Sequence, residues 1–124
     1  MPARLRPAHP VAVAEARGRF ETARAEGAGV DRADLRLLTK HYLALLEARA
    51  PGRSVEVRVP PYAAVQVVEG VRHTRGTPPA VIETDAETWI ALATGALDWP
   101  AAADSARVRA SGERADLAPY LPLG

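Results

Sequence analysis

The sequence predicts an α+β fold, a small mixed or antiparallel sheet that is covered on one face by helices. Two segments with helical periodicity come first, and three segments that alternate apolar and polar residues follow. The helical period then returns before a last short alternating segment. Because helices and strands come in separate runs, the helices are expected on one face of the sheet. We expect a flexible arm at residues 1–9 and a single domain over residues 10–124.

Residues 10–50 are predicted to form a helical hairpin. Pro10 suits the first turn of a helix, and apolar residues recur from there at helical spacing until "EGAG" ends the pattern. Asp31 can cap the second helix, whose apolar stripe runs from Leu35 to Leu46. The stretch "RAPG" stops this helix, because the residue before a proline avoids helical geometry.

Residues 54–84 are predicted to supply three strands. The first, "SVEVRVP", alternates three valines with charged residues, which is typical of a half-buried strand. The two prolines that follow cannot donate ladder hydrogen bonds, so this strand is expected to end there, at an edge of the sheet. Residues 62–70 and 80–84 form the second and third predicted strands.

Residues 85–124 are predicted to form helices with one short strand between them. The pair "TD" at residues 84–85 supplies a helix cap, and Gly95 is the expected stop. Asp98 then caps the short helix "WPAAADSA". Residues 107–112 alternate as a strand, and an amphipathic turn or two closes the chain.

Composition and charge exclude several classes of function. The chain is 48% hydrophobic and 25% charged, which is ordinary for a globular protein. Its net charge of +1 gives no long-range attraction for nucleic acid, so no nucleic-acid partner is expected. No stretch approaches the roughly 18 apolar residues of a membrane span. The first ten residues have no apolar run and are broken by arginines and prolines, so we do not expect them to act as a secretory signal. We therefore expect no membrane insertion and a cytoplasmic location.

The sequence also lacks the common catalytic motifs. It contains no G-x-S-x-G, no H-E-x-x-H and no phosphate-binding glycine loop. The absence of cysteine excludes disulfides, thiolate metal sites and a cysteine nucleophile. We expect no enzymatic activity, no catalytic residues, no metal and no cofactor.

The connection "VRHTRGTPP", residues 71–79, has two interpretations. Arg72 and Arg75 beside a glycine would present donors to an anionic group, with Arg75 the first candidate contact. An enzyme for small anionic substrates would need, in addition, a pocket here with a perturbed acid or base. The alternative is a turn between two strands, in which the glycine permits the bend and the prolines stiffen the return. The turn is the preferred interpretation, because no helix N-terminus follows directly to attract an anion.

Residues 83–121 resemble the second half of the sterol carrier protein family. The features that carry the resemblance are spaced along this stretch: an acidic residue at a strand end, a helix with a large apolar residue, a glycine, an alanine-rich helix, a short strand ending in glycine and an acidic residue, and a closing apolar helix. Here they are Asp85, Trp89, Gly95, "PAAADSA", "VRASGE" and the leucines after Asp116. The pair Gly112–Glu113 replaces the more usual Gly-Asp. The stretch "VRVPPYAAVQVVEG" is similar to the bacterial branch of this family, found in actinomycetes.

This resemblance implies a hydrophobic cavity between sheet and helices that binds a lipid, a fatty acyl chain or a sterol-like molecule without covalent chemistry. Trp89 would serve as core or as cavity wall. The alternative is an accessory module with a filled core, in which the helical hairpin offers a surface for a homodimer or another partner. The side chains expected to line the cavity are Val65, Val67, Trp89, Leu92, Leu117 and Leu121.

Overall fold

The computed structural model describes residues 5–70, 80–112 and 115–124. The connection at residues 71–79, including the candidate anion contacts Arg72 and Arg75, lies outside this part of the chain. Within the described residues the helices are α1 (Pro10–Ala25), α2 (Arg32–Arg49), α3 (Ala86–Thr94) and α4 (Trp99–Asp104). The strands are β1 (Val55–Val59), β2 (Ala63–Val67), β3 (Ala80–Thr84) and β4 (Val108–Ser111), and a 3₁₀ turn spans Ala118–Tyr120.

The α+β prediction is confirmed, and the sheet is mixed. The strands that the structure describes lie in the order β2-β1-β3-β4. β1 runs antiparallel to β2 and parallel to β3, and β4 is antiparallel to β3. The prediction that Pro60–Pro61 mark a sheet edge is wrong for β1, because this strand pairs on both sides. The prolines lie in the tight turn between β1 and β2, where no ladder hydrogen bond is required of them.

Side-chain alternation gives the sheet one apolar face. Val55, Val57 and Val59 have no accessible surface, whereas Arg58 on the opposite face is exposed. The helices α2 and α3 pack against each other, and α2 also packs against β2. The covered face therefore holds the hydrophobic core, and charged side chains occupy the other face.

The two helices of the predicted hairpin, α1 and α2, pack against each other, and a side chain caps the start of each. Asp31 accepts a hydrogen bond from the Ala33 amide at 2.7 Å, as predicted for the start of α2. Arg19 of α1 reaches Asp34 of α2 with two hydrogen bonds of 2.8 and 3.0 Å, which fasten the two helices. No helix in the described ranges is long and apolar enough to cross a bilayer.

Two elements end earlier than the sequence predicts. The second strand was expected to reach residue 70, but it stops at Val67, because Val68 has a φ of 66° and leaves the ladder. The Val68 amide instead donates to the Ala50 carbonyl at 2.7 Å, and the Val68 carbonyl accepts from the Ser54 amide at 3.0 Å. The short helix α4 ends at Asp104, two residues before the predicted end.

Residues 5–9 are the part of the predicted flexible arm that the structure describes, and they lie against α2. The Ala8 amide donates to His41 Nδ1 at 3.0 Å, and Leu5 packs on the core. His9 accepts a hydrogen bond from the Val11 amide at 3.1 Å and so caps α1. The flexibility of residues 1–9, and the treatment of residues 10–124 as a single domain, stay predictions.

Candidate functional site

The layer between the sheet and its covering helices is densely packed in the described residues. Leu38 and Leu43 of α2 have no accessible surface, and neither does Ile90 of α3. A side chain without accessible surface borders no space that would admit a water molecule. An apolar ligand would therefore need either another place or a rearrangement of the elements that close this layer.

The six side chains predicted to line a cavity lie in two places. Val65 and Val67 are buried on β2, and Trp89 on α3 has no accessible surface. The Trp89 indole nitrogen donates to the Thr39 carbonyl on α2 at 3.3 Å, so this ring lies in the helix–helix contact. Leu92, Leu117 and Leu121 lie toward the other end of α3 and in the chain's last residues.

An apolar groove of about 250 Å³ opens beside this second set. One wall comes from the end of α3 and the start of α4, and the other comes from residues 118–122. Leu92 and Leu121 are the predicted residues that line it, and Asp98 is its acidic lining residue. The full lining is Leu92, Gly95, Leu97, Asp98, Trp99, Pro100, Ala118, Leu121 and Pro122.

Local sequence signals shape the wall formed by α3 and α4. Gly95 ends α3 with a φ of 86°, a left-handed conformation that favours glycine. Asp98 accepts a hydrogen bond from the Ala101 amide at 2.9 Å and so starts α4. This cap engages one oxygen of the groove's carboxylate, and it sets Trp99 at the first position of α4. The left-handed backbone of Gly95 at the end of α3 and the Asp98 side-chain cap at the start of α4 therefore fix the position of this wall.

The opposite wall is the C-terminal segment, residues 117–124. It inserts Leu117 and Leu123 into the core, where they are 1% and 7% exposed. The Leu123 amide donates to the Ala93 carbonyl of α3 at 2.7 Å. Apart from its 3₁₀ turn, this segment belongs to no helix or sheet.

Two arginines of the helical hairpin hold the C-terminal segment in place. Arg49 of α2 donates from one nitrogen to the carbonyls of Tyr120 (3.0 Å) and Pro122 (2.8 Å). Arg17 of α1 donates to the Gly124 carbonyl at 2.7 Å, and a hydrogen bond to Glu21 raises the pKa of the Arg17 guanidinium. The sequence carries no signal for these contacts, because they join residues more than 70 positions apart.

Two other grooves in the described part of the chain are shallow. One of about 500 Å³ runs along the outer face of α1 beside Gly18, and one of about 310 Å³ lies at the turn between β1 and β2. Both are wide open to solvent and offer little burial to an apolar molecule.

Within the described ranges, no group of three histidine or acidic side chains could hold a metal ion. His41 is half-buried beside Tyr42, and its pKa is lowered by burial. The Thr39 hydroxyl is buried and lacks a partner among the described residues. These groups lie in the helical hairpin and outside the lining of the apolar groove.

The fold and the groove define an α+β domain in which α3, α4 and the C-terminal segment line an apolar groove. Residues 31–123 match the family described as bacterial SCP ortholog, in which SCP denotes sterol carrier protein. The chain therefore belongs to the bacterial sterol carrier protein-like family. The match begins at α2 and leaves α1 outside it. No curated protein matches the sequence.

Proposed function

We propose that this protein binds an apolar ligand, a lipid, fatty acyl or sterol-like molecule, without covalent chemistry. The observation that carries the proposal is the apolar groove between α3–α4 and the C-terminal segment. Family membership supports it, since sterol carrier proteins are generally non-catalytic carriers. The groove's volume of about 250 Å³ is below the roughly 300–1,000 Å³ of pockets for drug-sized ligands. In this conformation it accommodates one end of a chain.

A charge in the groove tests this function. Leu97→Asp places a carboxylate against an acyl chain, and an unpaired buried charge strongly opposes apolar contact. We expect at least tenfold weaker binding of trans-parinaric acid, a fluorescent fatty acid. Val11→Asp is the control, because Val11 is 59% exposed on α1 and lies outside the groove.

Lipid extraction and native mass spectrometry of the purified protein complete the test. A co-purified acyl species that the fluorescent fatty acid displaces supports the carrier. Equal affinity of the Leu97→Asp and wild-type proteins would place the ligand elsewhere. A wild-type protein that neither carries a lipid nor takes up the fluorescent fatty acid would end the proposal.

The alternative function is an accessory or dimerisation module. The packed layer between sheet and helices favours it, since a filled core serves a protein that has no internal ligand. A homodimer detected by native mass spectrometry in lipid-free protein would support this alternative. A monomer that carries a lipid would contradict it.

A further inference from the structure

The charge that lines the apolar groove is negative. Asp98 is the charged side chain in its described lining, and it is exposed to solvent. One carboxylate oxygen of Asp98 accepts a hydrogen bond from the Ala101 amide at 2.9 Å. The second oxygen has no hydrogen-bond partner among the described residues, and Asp98 forms no ion pair with any of them. This second oxygen can therefore accept a hydrogen bond from a ligand in the groove.

The end of α3 adds to the negative potential in the groove. Gly95 ends this helix and is one of the residues that line the groove. The carbonyl groups at the C-terminus of a helix carry partial negative charge, which attracts cations. The last turn of α3 contains no basic residue that would offset it. Arg49 binds the carbonyls of Tyr120 and Pro122 on the opposite wall, but it is not part of the lining. The groove therefore favours a cation.

Trp99 places an aromatic ring next to this carboxylate. It follows Asp98 at the first position of α4, and it also lines the groove. Trp99 belongs to the hydrophobic core and is largely buried, so packing holds its side chain in place. Indole rings attract ammonium groups, and carboxylates form charge-assisted hydrogen bonds with them. Asp98 and Trp99 thus supply two kinds of group that bind an ammonium ion.

An anionic head group would fit this groove poorly. A carboxylate beside Asp98 would be repelled by its like charge, and the repulsion is stronger in an apolar groove than in water. A primary amine on an alkyl chain is similar to a lysine side chain, whose ordinary pKa of about 10.4 keeps it protonated at pH 7. Its methylene groups would contact the apolar side chains of the groove, among them Leu92, Leu97 and Leu121.

We propose that the groove binds the ammonium end of an unbranched alkyl amine. The ammonium group donates a hydrogen bond to the second carboxylate oxygen of Asp98, and the first methylene groups of the chain fill the groove. This inference rests on the proposed function, and it adds the chemistry of the ligand's head group and the residue that selects it. A fatty acid of the same length binds more weakly, through its chain alone.

Three ligands with the same alkyl chain test the head-group preference. Decylamine, 1-decanol and decanoic acid are titrated into the protein at pH 7 by isothermal titration calorimetry, below their aggregation limits. We expect the wild-type protein to bind decylamine at least about fivefold more tightly than 1-decanol, because a charge-assisted hydrogen bond is stronger than a neutral one. Decanoic acid should bind no more tightly than 1-decanol, since its carboxylate is repelled by Asp98.

A single substitution assigns this preference to Asp98. Asp98→Asn removes the charge and keeps the cap of α4, because asparagine and aspartate cap helices equally well. The amine-to-alcohol ratio of affinities should fall to about one in this variant. Asp31→Asn is the matched control, since Asp31 caps α2 in the same way and lies outside the groove. This control removes the same charge from the protein and should leave the ratio unchanged.

The outcomes separate this inference from the proposed function. Loss of the amine preference in Asp98→Asn but not in Asp31→Asn supports the inference. Equal binding of amine and alcohol by the wild-type protein, or a preference that both variants keep or both lose, would overturn it and leave the carrier function standing. A wild-type protein that binds none of the three ligands and takes up no trans-parinaric acid would end both.

Discussion

At the scale of single residues, a close backbone contact constrains the turn between α2 and β1. Gly52 has a φ of 150°, and a Cβ atom there would lie 2.2 Å from the backbone carbonyl carbon and oxygen of Val68. The Ser54 hydroxyl donates to the same Val68 carbonyl at 2.6 Å. Two backbone segments therefore meet at a distance that only glycine permits.

We predict that Gly52→Ala lowers the free energy of unfolding by about 2–4 kcal/mol, through steric overlap and backbone strain. The matched control is Gly18→Ala on α1, where a Cβ atom meets nothing within 4 Å. This second change should raise stability by up to about 1 kcal/mol, because alanine favours the helix. Urea denaturation measures both. Equal effects of the two substitutions would contradict the assignment of Gly52 as a packing constraint.

Hydrogen bonds between residues that are close in sequence could be predicted. Asp31, Asp85 and Asp98 each accept hydrogen bonds from backbone amides within three residues, as the sequence predicted for these helix starts. The contacts of Arg17 and Arg49 with the C-terminal segment depend on the tertiary fold, and no spacing in the sequence could indicate them.

At the scale of elements, the contact between residues 5–9 and α2 depends on the protonation of His41. His41 Nδ1 accepts a hydrogen bond from the Ala8 amide, which requires that this nitrogen carry no proton. Burial lowers the pKa of His41 below its ordinary value of 6.5. The unfolded chain therefore binds a proton at a higher pH than the folded protein does.

We predict that this contribution to stability is complete above about pH 6.5 and is lost as the pH falls through the interval down to the lower folded pKa. Hydrogen exchange of the Ala8 amide should accelerate relative to that of core amides over the same interval. His41→Asn is the control, since an asparagine oxygen can accept the amide without titrating. If the free energy of unfolding of this variant shows the same pH dependence as that of the wild type, His41 is not the responsible group.

The elements themselves were mostly readable from the sequence, because periodicity and caps act over a few residues. β3 begins and ends where the alternation predicts, and α3 stops at Gly95 as expected. The predicted second strand was too long because the apolar run in "VQVVEG" continues past Val67, while the backbone turns away at Val68. Apolar composition alone could not reveal that turn.

At the scale of the whole molecule, strand order and the site required long-range information. β1 and β3 pair in parallel although β2 lies between them in sequence. This pairing makes β1 an inner strand of the sheet, although two prolines follow it directly. Likewise, the predicted cavity wall grouped Val65 and Val67 with Leu92 and Leu121 on the basis of resemblance. The structure buries the two valines under α2 and brings Leu92 and Leu121 to the groove.

Thermal unfolding distinguishes the carrier function from the dimerisation module. The stability of a carrier depends on the concentration of its ligand, whereas the stability of a dimer depends on the concentration of the protein. A ligand that binds only the folded state, at 100 times its Kd, adds about 2.7 kcal/mol to stability. For a chain of 124 residues this would raise Tm by roughly 8 °C. The carrier predicts such a rise with oleic acid below its aggregation limit, and a Tm independent of protein concentration. The dimerisation module predicts the reverse, a Tm that rises with protein concentration and does not respond to the fatty acid.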